Sequence, residues 1–191
     1  MNDSIWYDKM CDSIWYDIDG KIHRDNDLPA VVIAGHNVCF WYQHGQIHRD
    51  GAPAIIYPDF YDVVLDVSRK GTRLWYQNGQ IHRDDGPAIE EWDGEFAWYQ
   101  NNQLHSINDK PATRNWDEDG VMVHSWYQHG KLHRDKDKPA KIWQDGHLEW
   151  YQHGELHREN NMPAVEAVDG RRDWYWHGML HRDGDIYACT N

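Results

Sequence analysis

The feature that most constrains this chain is a motif that recurs seven times along its 191 residues. With small variations, each copy reads Trp-Tyr-x-x-Gly-x-x-His-Arg, and Pro-Ala usually follows the histidine after five or six residues. Successive Trp-Tyr pairs are 26, 34, 23, 28, 24 and 24 residues apart, so the basic period is close to 24. A period of this size indicates a supersecondary unit that buries its apolar face by stacking on its neighbours.

The copies of the motif divide the chain into an array. The tryptophans that open the copies are Trp15, Trp41, Trp75, Trp98, Trp126, Trp150 and Trp174. The matching histidines, called the ladder histidines below, are His23, His48, His82, His105, His133, His157 and His181. The sequence predicts a single array of seven repeats over 15–40, 41–74, 75–97, 98–125, 126–149, 150–173 and 174–191. Residues 1–14 precede the array as an N-terminal capping segment, because terminal repeats that depart from the consensus are typical of caps.

Short strands joined by tight turns are predicted within each repeat. Asn78-Gly79 and Asp145-Gly146 are typical of two-residue type I′ hairpin turns. A two-residue turn at Asn78-Gly79 places Trp75 opposite His82. The pattern therefore predicts an all-β fold of tandem β-hairpin repeats that form an elongated, twisted antiparallel sheet. Alternation along the strands places Trp and His on one face and Tyr with Ile or Leu on the other.

This hairpin repeat, which opens on an aromatic residue and is punctuated by glycines, resembles the MORN repeat. The resemblance covers nearly the whole chain in a variant form, with Trp-Tyr-x-x-Gly for the usual Tyr-x-Gly and His-Arg…Pro-Ala for the later Gly-x-Gly. This spelling looks like arrays encoded by large DNA viruses of amoebae, such as the marseilleviruses. The resemblance implies a protein-interaction scaffold, dimeric in some members and attached near membranes in others, and it supplies no catalytic residues.

Charge and cysteine usage narrow the expected partners and location. The formal net charge of −13 disfavours nucleic acid and anionic lipid, so we expect no nucleic-acid partner and no membrane partner. Cys11, Cys39 and Cys189 form no Cys-x-x-Cys pair, which is typical of a reducing compartment. The acidic start Met1–Ser4 lacks an apolar signal region. The expected location is therefore intracellular, in a host cytoplasm, or in a virion, without secretion through a signal peptide.

The repeated polar residues are predicted to be structural. Five copies spell His-Arg-Asp, as protein-kinase catalytic loops do, but the chain has no Gly-rich phosphate loop and no Asp-Phe-Gly. Successive ladder histidines stand about 10 Å apart by strand spacing, too far to share one metal ion. We expect each histidine to pack on its cross-strand tryptophan and to bond backbone or a nearby carboxylate. Each arginine precedes an acid and is predicted to pair locally along the ladder. No enzymatic activity, cofactor or metal is expected.

One insertion interrupts the repeats at residues 57–71. Insertions in repeat arrays map to one side and often carry specificity, so this segment is a candidate interaction surface. The residues proposed for that surface are Tyr57, Phe60, Tyr61, Val64 and Leu65. The alternative is a longer hairpin that packs on its own sheet.

These observations favour a non-enzymatic structural or protein–protein interaction scaffold, as a viral or virion-associated component. Its partner is expected to be another protein or a second copy, joined through exposed edge strands. The alternative is a ligand-binding module whose Trp/His face holds glycans or lipid headgroups. A further hypothesis is that protonation of the 14 histidines offsets the net negative charge and promotes assembly or a change of shape.

Overall fold

The computed structural model describes residues 12–62 and 67–182, and for residues 60–62, 67–69 and 182 it describes the backbone alone. Every regular element in these ranges is a strand, which confirms the predicted all-β class built from antiparallel hairpins. Within the described ranges, no helix has the length and apolar character that a membrane crossing requires. Most of the predicted capping segment, and the last repeat beyond residue 182, lie outside the described residues.

The chain groups into two compact units, residues 1–93 and residues 94–191. The strands of the first unit are β1 (Ser13–Ile14), β2 (Val31–Ile33), β3 (Val38–Phe40), β4 (Tyr42–Gln43), β5 (Gln46–Ile47), β6 (Ile55–Ile56), β7 (Phe60–Asp62), β8 (Val67–Arg69), β9 (Arg73–Leu74), β10 (Tyr76–Gln77), β11 (Gln80–Ile81) and β12 (Ile89–Glu90). Six of them pair in the order β1-β2-β3-β6-β9-β12, and β4-β5, β7-β8 and β10-β11 form separate two-stranded hairpins.

The second unit repeats this plan. Its strands are β13 (Phe96–Ala97), β14 (Tyr99–Gln100), β15 (Gln103–Leu104), β16 (Thr113–Trp116), β17 (Met122–Ser125), β18 (Tyr127–Gln128), β19 (Lys131–Leu132), β20 (Lys141–Trp143), β21 (Leu148–Glu149), β22 (Tyr151–Gln152), β23 (Glu155–Leu156), β24 (Val165–Glu166), β25 (Arg172–Trp176) and β26 (Met179–Arg182). Eight of them pair in the order β13-β16-β17-β20-β21-β24-β25-β26, and three two-stranded hairpins stand apart: β14-β15, β18-β19 and β22-β23.

Five Trp-Tyr hairpins lie outside the main pairing order, whereas the motif predicted that they join one sheet; the hairpin of the last repeat, β25-β26, does belong to that order. The backbone of the opening tryptophan explains the difference. The N–H of Trp126 donates to the carbonyl of Ala140 (2.8 Å), whereas the carbonyl of Trp126 accepts from the N–H of His133 (3.0 Å). One peptide group thus joins the main sheet and the next begins a separate hairpin. The main strands come from the variable segments between Pro-Ala and the next tryptophan.

The predicted register of the Trp-Tyr hairpin is confirmed. Gln77 pairs with Gln80, and the N–H of His82 bonds the carbonyl of Trp75 at 3.2 Å. Both turn residues, Asn78 (φ 50°) and Gly79 (φ 75°), have the positive φ of a type I′ turn.

The type I′ prediction is wrong at Asp145-Gly146. Only Gly146 has positive φ (103°), and the N–H of Gly146 donates to the carbonyl of Trp143 (3.1 Å). The N–H of Trp143 in turn reaches the carbonyl of His147 (3.0 Å). These bonds close a three-residue loop, in which a type I turn is followed by one left-handed glycine.

The core is thin and is centred on the Pro-Ala junctions. The alanines of these junctions have no exposed surface: Ala30, Ala54, Ala88, Ala112, Ala140 and Ala164. Each alanine carbonyl accepts the N–H of the opening tryptophan, at 2.7–2.9 Å. Trp41, Trp126 and Trp150 are also buried. A small residue is required here because backbone from two strands and a hairpin meets around it.

Candidate interaction surface

The loops that follow the ladder histidines, called ladder loops here, hold the tryptophans of the repeats in place. In the second unit, the Arg158 guanidinium carbon lies 3.7 Å from the ring centroid of Trp150. Arg158 Nη1 donates to the carbonyl of Pro163 (3.2 Å), and Nε donates to Oδ1 of Asp137 (2.9 Å). The same stacking occurs for Arg24 on Trp15, Arg49 on Trp41, Arg83 on Trp75 and Arg134 on Trp126.

The acid that pairs with the arginine comes from the preceding repeat in three cases: Arg49 with Asp27, Arg134 with Asp109, and Arg158 with Asp137. Arg83 instead pairs with Asp85 of its own loop. The arginines thus pair locally along the ladder, as predicted, but the acid in these pairs is not the one that directly follows the arginine. The hydrogen bond from Arg49 holds the pKa of Asp27 below its usual value, and Arg134, followed by Lys138, does the same for Asp109.

The preceding ladder loop also accepts a hydrogen bond from the indole N–H of the tryptophan. Trp150 Nε1 donates to the carbonyl of Asp137 at 3.1 Å. Lys136 (φ 66°) and Asp137 (φ 52°) both have positive φ, and this tight turn aims the carbonyl at the indole. Equivalent bonds join Trp41 to Asp27, Trp126 to Asp109 and Trp174 to Asn161.

The ladder histidines bridge one repeat to the next through Nδ1, while Nε2 bonds an acid of the same ladder loop. His133 Nδ1 accepts the backbone N–H of His153 (3.2 Å), and His133 Nε2 lies 3.1 Å from Oδ1 of Asp135. Because Nδ1 accepts, Nε2 carries the proton and donates to the carboxylate. The Nδ1 bond recurs from His44 to His23, from Asn78 to His48 and from His177 to His157. The predicted bonding to backbone and carboxylate is thus confirmed.

The ring contacts of these histidines differ from the prediction. The His133 ring stacks on His153 of the next hairpin turn, with centroids 4.6 Å apart, while the guanidinium of Arg134 covers the cross-strand Trp126. His23 stacks in the same way on His44, with centroids 4.3 Å apart. A guanidinium stacks more favourably than an imidazole on an indole face, which explains the exchange of partners.

The tyrosines on the other side of the hairpins are partly buried. Burial, and next the neighbouring Tyr99, raises the pKa of Tyr127. Burial, and next the Glu149 carboxylate, raises the pKa of Tyr151, whose hydroxyl donates to Oε2 of Glu149 at 3.0 Å. Both hydroxyls therefore stay protonated, and that of Tyr151 serves as a structural donor.

The insertion at 57–71 contains the hairpin β7-β8, in which Phe60 pairs with Arg69. Tyr57 is 43% exposed, and its N–H donates to the carbonyl of Thr72 at 2.9 Å. For Phe60 and Tyr61 the structure gives the strand but not the side chains. Val64 and Leu65 lie outside the described residues. The structure therefore does not bring the five predicted surface residues into one described patch.

The base of this insertion is tightly closed. Asp59 Oδ1 accepts the N–H of Gly71 (2.8 Å) and Nη2 of Arg73 (2.7 Å), and these bonds lower the pKa of Asp59. A Cβ atom at Gly71 would lie 2.1 Å from the carbonyl oxygens of Tyr57 and Pro58, so only glycine fits.

The structure shows two exposed apolar patches that the sequence analysis did not predict. Ile14, Tyr16 and Ile18 are exposed around β1, and Ile18 is fully exposed. Trp176, Met179 and Leu180 are exposed on β25 and β26. Both patches lie in repeats that depart from the consensus motif, which was the available signal.

Within the described ranges, no group of three or more His, Cys, Asp or Glu side chains has a geometry that could hold a metal ion. No protein-family model matches the chain, and no characterised protein matches it either.

Proposed function

We propose that this protein is a non-enzymatic scaffold that joins protein partners, including a second copy of itself. In this proposal it belongs to the MORN-like class of interaction arrays and serves as a viral or virion-associated component. The repeated His, Arg and acid side chains support a structural role, because they bond one another rather than converging on a cleft.

The observation that carries the proposal is the apolar surface on the outer strands of each unit. Among the described residues, β1 pairs only with β2 and β26 pairs only with β25, so each leaves one edge open. Met179 is 68% exposed, Leu180 54% and Trp176 48%. An open edge beside exposed aromatic and methionine side chains is typical of a site where another chain adds a strand.

The Trp/His face is less suited to stacking on glycans. Arginine guanidiniums cover the indoles of Trp41, Trp126 and Trp150, and the three indoles are buried. A sugar would have to displace a charged group that also bonds a proline carbonyl and an acid.

Light scattering coupled to size exclusion tests the proposal, together with cross-linking in a lysate of the native source. We expect the intact chain to elute above the mass of one copy. Met179→Lys with Leu180→Lys should reduce that mass, whereas Val168→Lys, on an exposed turn, should not. A single-copy mass at every concentration, combined with no reproducible cross-link to another protein, would reject the scaffold.

A further inference from the structure

One ladder loop departs from all the others. Residues 98–125 contain His105-Ser106-Ile107, where the other six copies read His-Arg-Asp or His-Arg-Glu. Both residues that complete the contacts elsewhere, the arginine and the acid, are missing from this loop. Ser106 makes a different contact, since its Oγ accepts the N–H of Tyr127 at 3.0 Å.

His105 is consequently left with an unused donor. In five other repeats the ladder Nε2 lies 3.0–3.2 Å from a carboxylate oxygen of the acid two residues later. Ile107 stands at that position here, and no partner for His105 Nε2 occurs among the described residues. His105 Nδ1 lies 3.5 Å from the N–H of His129, so the proton that remains is directed outward on Nε2.

Arg134 provides a second unused donor nearby. Arg49 and Arg158 each place Nη2 on the second oxygen of their acid. At Arg134 that oxygen, Oδ2 of Asp109, is bonded by Lys138 Nζ instead. Arg134 Nη2 therefore has no hydrogen-bond partner within 12–62 and 67–182.

Both donors line one of the grooves that lie between successive ladder loops. The groove between ladder loops 105–112 and 133–140 has a volume of about 540 Å³. The matching grooves differ in size: those with Arg24 and Arg134 in the position of Ser106 measure about 310 Å³ and 110 Å³, and the one with Arg158 in that position measures about 630 Å³. The two donors, rather than the volume, therefore distinguish this groove.

We propose that this groove binds a carboxylate from an acidic side chain of a partner protein, which deepens the scaffold function proposed above and rests on it. The chain supplies the template for the contact, since Asp135 on His133 shows how a ladder imidazole holds a carboxylate. The carboxylate of the partner would occupy the position that an acid side chain holds in the other repeats, where this loop has Ile107. It would accept hydrogen bonds from His105 Nε2 and Arg134 Nη2. Charge-assisted bonds of this kind are about twice as strong as neutral ones.

A phosphate group fits this groove less well. Asp109 and Asp135 also line it, each already bonded to a cationic or donor side chain. Their charges oppose a dianion more strongly than a singly charged carboxylate.

Calorimetric titration of the full chain with a hexaglutamate peptide tests the proposal, with hexaglutamine and inorganic phosphate as comparison ligands. A salt concentration near 0.15 M limits repulsion by the net charge of −13, because the Debye length is then about 8 Å. We expect hexaglutamate to bind measurably and the other two ligands to bind at least tenfold more weakly.

The matched variant is Ser106→Arg with Ile107→Asp, which restores His-Arg-Asp and leaves the net charge unchanged. It should fold at least as stably as the parent chain and lose hexaglutamate binding at least tenfold. Ile107→Val, which leaves the carboxylate position empty, should bind within about twofold of the parent chain, since a single methylene changes little.

The proposal is overturned if hexaglutamate does not bind, if the restored loop binds equally well, or if hexaglutamine or phosphate binds as tightly. If the groove does not bind the peptide, self-association through β26 can still be observed, because a separate experiment measures it. Conversely, peptide binding without any higher mass or cross-linked partner would retain the site and reject the scaffold.

Discussion

At the residue scale, Arg158 joins three groups that a lysine cannot hold together. Arg158 stacks on Trp150, donates to the carbonyl of Pro163 and forms a two-point contact with Asp137. The planar guanidinium makes these contacts at once, while an ammonium presents a single compact charge. The arginine is therefore a packing residue as much as a charged one.

Arg158→Lys should lower the free energy of unfolding by about 1–3 kcal/mol, because it loses the stacked face and at least one hydrogen bond. Urea denaturation followed by tryptophan fluorescence measures the change. Arg171→Lys is the matched control, since Arg171 is 55% exposed and makes one 3.4 Å contact with Asp173. That change should stay within about 0.5 kcal/mol. Equal effects at the two positions would contradict the packing role.

Sequence reasoning predicted the kinds of group that the ladder histidines bond and the pairing of the arginines along the ladder, but not which acid each arginine contacts. Asp135 follows Arg134 directly, yet Asp135 accepts from His133, and Arg134 reaches back 25 residues to Asp109. The side chains of adjacent residues in a loop point apart, whereas stacking of repeats brings distant loops together. A single repeat read in isolation contains no signal for such a partner.

At the element scale, turn chemistry decides which segments can be recognised from sequence. The two-residue turn at Asn78-Gly79 fixed the register correctly because both residues tolerate positive φ. The main strands, such as β16 and β17, lie in spacers that vary between repeats and carry no common alternation. For that reason the motif predicted hairpins and antiparallel pairing but missed the separation of the Trp-Tyr hairpins from the main sheet.

Gly154→Ala should destabilise the second unit by about 1–2 kcal/mol, because φ at this position is 92°, where L-residues are strained. The nearest atom to a Cβ atom there would be Lys131 Cβ at 3.7 Å, an ordinary contact distance, so the cost comes from the backbone. Gly35→Ala is the control, since φ is not positive there and no atom lies within 4 Å of the added Cβ. Denaturation should show no loss for the control, and an equal loss in both variants would refute the turn assignment.

At the scale of the whole molecule, the stability of the fold should depend on pH through two histidines, His105 and His124. Burial, and next the neighbouring His129, lowers the pKa of His105, and burial followed by Arg114 lowers that of His124. As the pH falls, these residues gain protons near pH 6.5 in the unfolded chain but only at a lower pH in the folded chain. Their contribution to the free energy of unfolding is therefore fully present above that pH and declines as the pH falls below it.

The midpoint temperature of unfolding should accordingly fall when the pH is lowered from about 7.5 to about 5.5, across the range where histidine titrates. Calorimetry at constant ionic strength measures the change. His124→Gln should make the fall smaller, because it removes one of the two groups, while His36→Gln, at an exposed turn position, should leave it unchanged. A midpoint that rises on acidification would contradict the requirement for neutral rings.

The imidazole bridge between repeats is the feature on which the whole structure depends, and its protonation state can be measured directly. Long-range ¹H–¹⁵N correlation spectra near pH 7.5 show which ring nitrogen carries the proton. We expect the Nε2–H tautomer at His23, His48, His133 and His157, because Nδ1 of each accepts a backbone N–H of the next hairpin. An Nδ1–H tautomer at these residues, or a mixture of both forms, would contradict the bridged array.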